Sequence, residues 1–205
     1  LEFERLLSAS GPFGGHLVRP SDHREPEKIA WLQCVGSRDI NKGDHSYCSG
    51  VCCMYANKQA VIAKEHSKQD LDTVIFFMDM RTYGKDFDKY QIRAEDESGV
   101  RFVRSRIHSV FPLPDDRLRI VYATESGSTA EEIFDMVVLS VGLSPCQDAA
   151  DLARKMGIEL NAHGFAATRN LSPVSTSREG IYVCGTFQEP KDSPFSVMEA
   201  SAAAA

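Results

Sequence analysis

Four of the six cysteines in this 205-residue chain fall between positions 34 and 53. Cys34, Cys48, Cys52 and Cys53 form a C-x13-C-x3-C-C arrangement. Thiolates are the soft ligands that zinc and iron–sulfur clusters take, and a [4Fe–4S] cluster needs four. The adjacent pair Cys52–Cys53 fits poorly with the C-x2-4-C knuckles of structural zinc sites. Spacing therefore favours a cluster over zinc, with buried structural cysteines and redox thiols left open as other readings. Cys146 and Cys184 stand alone and read as packing residues, Cys184 within a buried strand.

The elements that must position the four are a strand and the helix after it. "KIAWLQCVGS" (28–37) is a β-rich apolar run and reads as a buried strand ending near Cys34. Residues 38–47 are polar, contain Gly43 and read as a loop. From Ser49 to His66 apolar residues recur at helical spacing (Val51, Met54, Tyr55, Ala60, Val61, Ile62), which predicts a helix packed on one face. A strand end facing the start of the next helix brings Cys34 towards Cys48, Cys52 and Cys53. In a dinucleotide-binding fold that turn carries G-x-G-x-x-G, and no such spacing occurs here. The phosphate cradle is expected to be lost or rebuilt around sulfur, since unpaired amide donors and the positive end of a helix suit an anionic cluster.

Further along, 72–80 reads as a strand, and 85–98 as a helix stopped by Gly99. Three β-type segments follow (100–114, 118–124 and 135–143), divided by the turns "PDD" and "ESGS". This order predicts an α/β, Rossmann-type nucleotide-binding lobe with a β-meander over 27–145. Residues 1–26 carry two glycine–proline clusters and little periodic structure. Residues 146–205 read as a helix, a short β region, then strand, turn and helix. If the two flanks pack together, 27–145 is an insertion between two parts, 1–26 and 146–205, of another domain.

A composition of 42% hydrophobic and 25% charged residues suits a globular core. The net charge of −6, with no basic block, argues against nucleic acid as the main partner. The longest apolar runs, "TVIFFM" and "MVVLSVGL", are too short to cross a bilayer as helices, so no transmembrane segment is expected. No signal peptide opens the chain, so the cytoplasm is the expected compartment, where clustered cysteines are more often ligands than a disulfide framework. A start at Leu1 and an end in "ASAAAA" suggest a piece of a longer polypeptide.

"IAWLQCVGSRD", "YCSGVCCMYANKQAVIAKEH", "IFFMDMRTYGKDFDKY", "GVRFVRSRI", "VVLSVGLSP" and "GIYVCGTFQEPKDSPFSVMEASAAAA" together resemble the A subunit of heterodisulfide reductase, an iron–sulfur flavoprotein. The related A subunit of the quinone-interacting membrane-bound oxidoreductase is similar. The resemblance implies a thioredoxin-reductase-like fold, FAD and a [4Fe–4S] cluster as cofactors, and electron transfer of the kind used in flavin-based bifurcation. It puts the cluster ligands on Cys34, Cys48, Cys52 and Cys53. The upstream FAD glycine segment and the ferredoxin-type cysteine runs of full-length members do not occur here, so the likeness is to a middle and C-terminal part with an incomplete FAD-binding domain. "GIYVCGTFQEPKDSP" matches the segment that closes the FAD site, which implies flavin contacts at Gly185, Thr186, Lys191 and Asp192; in the front loops Gly14, Gly15 and Arg19 are further candidates. No catalytic acid, base or nucleophile is implied, because the cofactors carry the chemistry. Implied partners are the other subunits of such a complex or a redox partner protein, with a homodimer allowed. A pyridine-nucleotide disulfide oxidoreductase and a structural zinc or interaction module are the alternative readings.

Overall fold

The computed structural model describes residues 1–41 and 45–205; Gly43, read above as part of a loop, lies outside the described residues. Two compact units result, one of residues 1–35 and 52–141, the other of 36–51 and 142–205.

The first unit is built on a four-stranded parallel sheet: β1 (Lys28–Val35), β2 (Asp72–Phe77), β3 (Arg101–Arg104) and β7 (Met136–Val141), in the order β3-β2-β1-β7. Chain order reverses between β1 and β7, which is the switch point where open α/β sheets bind ligands. The apolar run predicted for β1 is buried through Ile29, Ala30, Trp31 and Leu32, as a central parallel strand requires. A second, antiparallel sheet holds β4 (Val110–Pro112), β5 (Leu118–Ala123) and β6 (Thr129–Phe134). The expected Rossmann-type lobe with a meander is therefore present. Strand β6 was not anticipated, because "TAEEIF" places two acids side by side.

Those acids are accommodated by cations. Glu132 receives Arg101 Nη2 at 2.8 Å and Lys28 Nζ at 2.6 Å, and the Tyr122 hydroxyl donates to its Oε1. Asp72 receives Arg101 through Nε and Nη2, both at 2.9 Å, and Lys28 Nζ at 3.3 Å. The cluster joins β1, β2 and β3 of one sheet to β5 and β6 of the other.

Helix α2 (Cys52–His66) follows β1. Its buried residues are Cys52, Cys53, Ala56, Asn57, Gln59, Ala60 and Ala63, while Tyr55, Val61 and Ile62 are only partly buried. The expected apolar face thus gives way to one of small and polar side chains, which lets the helix lie close to the sheet while Trp31 donates from Nε1 to Gln59 Oε1 at 3.1 Å. Helix α3 (Phe87–Asp96) ends before Gly99 in the left-handed region, as expected.

Residues 1–26 were expected to group with 146–205, but they lie within the first unit. Their helix α1 (Glu2–Leu7) buries Phe3, Leu6 and Leu7 in the core of Trp31, Ile29 and Ala60. The apolar spacing at 3, 6 and 7 is a helical signal that the glycine–proline clusters obscured.

The second unit holds α4 (Ala149–Met156), a 3-10 turn over Gly185–Phe187 and α5 (Ser193–Ala204). "GIYVCG" is not a buried strand here. It makes one isolated bridge, Ser175 to Tyr182, and of its side chains only Val183 is buried, with Cys184 exposed. Cys146 is exposed as well, so neither lone cysteine is a packing residue. Among the described residues no helix is long and apolar enough to cross a membrane.

Burial alone would raise the Glu132 carboxyl, but its bonds with Arg101, Lys28 and Tyr122 hold it down at about 2 against an ordinary 4.5. The folded chain therefore binds fewer protons than the unfolded one between these values, and the stabilisation present above pH 4.5 is lost as pH falls through about 2. Urea midpoints of the wild-type chain should fall from pH 5 to pH 2, and Glu132→Gln should flatten that slope.

Candidate functional site

Residue Cys34 sits where β1 stops being regular. Leu32 pairs with Leu139 and Val35 with Val141, so three steps along β1 oppose two along β7. The extra residue is a β-bulge, and Cys34 within it has φ +61°. A non-glycine side chain in the left-handed region costs on the order of 1–2 kcal/mol. The bulge re-aims Cys34 at the carboxyl end of β1, beside the switch point.

The first turn of α2 reaches the same place. Val141, the register partner of Val35, accepts at its carbonyl from the Tyr55 hydroxyl at 2.6 Å and from Cys52 Sγ at 3.6 Å. Burial pushes the Tyr55 phenol up, and neighbouring Cys52 pushes it the same way. Cys52 and Cys53 are buried at the helix start, where backbone N–H groups have no partner within the helix. Strand end, helix start and Cys52 thus meet through Val141, with Cys34 one residue before the Val35 that pairs with it.

Cys48 belongs to the second unit, on the segment 36–51. That segment is closed on itself by Arg38 N–H to Tyr47 O at 3.0 Å and Asp39 N–H to His45 O at 3.1 Å. Ser37 and Ser49 share a hydroxyl bond of 3.0 Å, Ser49 Oγ accepts from Leu143 N–H at 2.8 Å, and the Tyr47 hydroxyl donates to Leu143 O at 2.9 Å. A Cβ on Gly142 would come within 2.0 Å of Ser37 Oγ and 2.4 Å of Ser49 Oγ, so only glycine fits there. Within this frame Cys48 Sγ accepts from Gly50 N–H at 3.3 Å.

Among the described residues no group of three or more His, Cys, Asp or Glu side chains is gathered as a bound metal ion would hold them. None of the six cysteines is in a disulfide. The donor set still fits a cluster in kind: soft sulfurs, two at a helix N-terminus, one held strained at a bulge and one accepting a backbone N–H. Ligand closure on binding is the usual behaviour of such sites, because metal affinity and local ordering are coupled.

The positions expected around a flavin have partners of their own. Gly185, at φ +69°, donates its N–H to Glu199 Oε2 at 2.9 Å. Lys191 is 7% exposed; its Nζ bonds Glu199 Oε1 and, at 2.5 Å, Gln188 Oε1. Asp192 caps α5 by accepting from Phe195 N–H at 3.0 Å. Thr186 lies in the 3-10 turn. In the first unit Arg19 is clamped on Asp22, Gly14 and Gly15 adopt φ of +60° and +84°, and the Gly15 carbonyl accepts from His66 Nδ1 at 2.9 Å. Lys191, Asp192, Gly185 and Arg19 are thus engaged within the chain, and no step is routed through a flavin. Glu199, which ties the turn to the helix, was missed by sequence reasoning; its signal was the one acid in "SVMEASAAAA".

The parallel sheet and its switch point define a Rossmann-type lobe in which Cys34 ends β1 and Cys52 and Cys53 open α2. LpdA of Mycobacterium tuberculosis has a similar fold, with a TM-score of 0.50 over 93% of this chain and 37% of that one, at 15% identity. No protein-family model matches the chain. By sequence the chain is a relative of the A subunit of heterodisulfide reductase. It is 43% identical to a heterodisulfide reductase A-subunit-like protein of Archaeoglobus profundus. It is 41% identical both to the iron-sulfur A subunit of the CoB–CoM heterodisulfide reductase of Methanocaldococcus jannaschii and to the A subunit of the H2:CoB-CoM heterodisulfide,ferredoxin reductase of Methanothermobacter marburgensis. Each match takes in all of this chain but only 31–32% of the relative, so the chain spans about a third of their length.

Two substitutions probe these assignments by chemical unfolding. Cys34→Gly should leave the cluster-free chain as stable or up to about 1 kcal/mol more stable, whereas Cys34→Val should cost about 1–2 kcal/mol, since a β-branched residue tolerates the left-handed region worst. Glu199→Ala leaves the buried Lys191 ammonium with Gln188 and, 3.8 Å away, the exposed Glu189, and should cost about 3 kcal/mol.

Proposed function

We propose that this chain is the cluster-bearing part of an electron-transfer flavoprotein of the same type as the A subunit of heterodisulfide reductase. A [4Fe–4S] cluster would be held by Cys34, Cys48, Cys52 and Cys53, and electrons would pass between it and FAD within the longer protein. The observation that carries this reading is Cys34, held in a left-handed bulge at the switch point beside the helix start that bears Cys52 and Cys53. Strain of that kind clusters at functional sites, and a glycine would relieve it. The relatives' names, one iron-sulfur and another a ferredoxin reductase, support the same reading.

When bound, the cluster supplies one-electron exchange and FAD the electron pair. The chain's own residues do the rest. Cys52 and Cys53 bring sulfur to the positive end of α2, Cys34 is aimed by its bulge, and the segment around Gly142 holds Cys48. FAD is assigned to the longer protein, with residues 146–205 as part of its domain and Gly14, Gly15, Arg19, Gly185, Thr186, Lys191 and Asp192 as contributing positions. The setting is cytoplasmic, and the partners are the other subunits of such a complex or a redox partner protein. The internal locks of Lys191 and Asp192 favour a role in shaping the FAD-side turn over direct contact with the ring.

Anaerobic reconstitution with iron and sulfide tests the reading. The expected result is four iron and four acid-labile sulfide per chain, with the broad charge-transfer absorbance of a cluster, and loss of iron in Cys34→Ala and Cys52→Ala. One zinc and no sulfide per chain would replace it with a structural zinc module.

A further inference from the structure

The side chain of Asn57 is fully buried on α2, and neither its Nδ2 nor its Oδ1 has a hydrogen-bond partner. Among the described residues no other buried side-chain amide is left unpartnered at both ends. Each unmet group of this kind costs roughly 1–3 kcal/mol. Leucine at the same place would be a better helix former and would leave nothing polar unsatisfied. A buried amide at that cost calls for a partner.

Helix geometry says where the partner lies. Asn57 is four residues after Cys53, on the same face of α2, and helical side chains lean towards the N-terminus. Its amide is therefore directed at the turn that carries Cys53, which is itself buried. A protonated thiol is a weak acceptor and leaves the amide idle. A metal-bound thiolate or an inorganic sulfide accepts well.

We propose that Asn57 donates a hydrogen bond from Nδ2 to the sulfur shell at Cys53 and so raises the reduction potential of the bound cluster. The inference rests on the cluster reading above. Asn57 is a positioning and tuning residue, not a ligand: one electron enters or leaves the cluster, and no bond to Asn57 forms or breaks. Donation to sulfur favours the more negative, reduced state, so its loss lowers the potential.

The test is Asn57→Leu in the 205-residue chain, measured without and with a reconstituted cluster. In the cluster-free chain the urea midpoint should stay level or rise. In the loaded chain the midpoint potential should fall, so that at the wild-type midpoint the ratio of reduced to oxidised cluster drops about fivefold, as expected for a bond worth ~1 kcal/mol. A destabilised cluster-free variant, or a loaded variant with the wild-type potential, overturns the role of Asn57 alone. A wild-type chain that assembles no cluster overturns this role and the cluster reading together. If the leucine variant does not fold, the wild-type chain labelled with 15N-asparagine decides the matter: nitrogen coupling to the reduced cluster in pulsed EPR is expected, and its absence overturns the proposal.

Discussion

The register between β1 and β7 governs the first unit. Four paired positions hold the strands side by side from Ile29 to Leu32, and then one extra residue is admitted on β1 before Val35 meets Val141. Had pairing stayed regular, position 34 would have alternated into a sheet face like its neighbours. The bulge instead frees it at the end of the strand. The same Val141 that completes the ladder offers its carbonyl to Tyr55 and Cys52, so strand pairing and helix docking are fastened at one peptide. An ion cluster at Lys28, Asp72, Arg101 and Glu132 holds the opposite end. The sheet is thus secured by charge where its strands begin and by sulfur and hydroxyl groups where they end.

Much of this frame was legible in the residues. β1 and β2 are continuous apolar runs because both faces are covered, and such runs declare themselves; β7 is as apolar in sequence, although Leu139 and Val141 are exposed. The four cysteines were legible by type and spacing, and the absent glycine signature by inspection. Other parts were hidden for identifiable reasons. β6 carries two glutamates whose partners lie on β1, β3 and β5, so its identity depends on contacts far away in sequence. The buried face of α2 is made of Ala, Asn, Gln and Cys, which a hydropathy pattern takes for the exposed side. "GIYVCG" has the composition of a strand, yet of its side chains only Val183 finds a core. Cys184 shows the same limit, since apolar neighbours in sequence did not make it an interior residue.

A strained and an unsatisfied residue belong to the elements that carry the cysteines. Cys34 is held in a conformation suited to glycine, and Asn57 is buried without a partner, both within reach of one helix turn. Other left-handed residues of the first unit, His23, Asp86 and Asp116, lie in turns or at a helix start, where such backbone is ordinary, whereas Cys34 sits inside a strand. Departures from local preference are expected where function competes with stability. The second unit shows the opposite character: Lys191, Glu199, Gln188 and Asp192 satisfy one another, which makes the turn before α5 a rigid part.

The clasp at Gly142 bears on how such chains diverge. Ser37, Ser49 and Leu143 hold the two ends of the 36–51 segment together, and the bonds from Arg38 to Tyr47 and from Asp39 to His45 close its neck. What lies between positions 39 and 45 is then relieved of any duty to place Cys48. Chain length can change there at little energetic expense, because closure entropy changes slowly with length. The thirteen residues separating Cys34 from Cys48 are in that sense an accident of this chain, while the C-x3-C-C run and the serine–glycine clasp are fixed by geometry. A search for distant relatives should hold those fixed and let the interval vary.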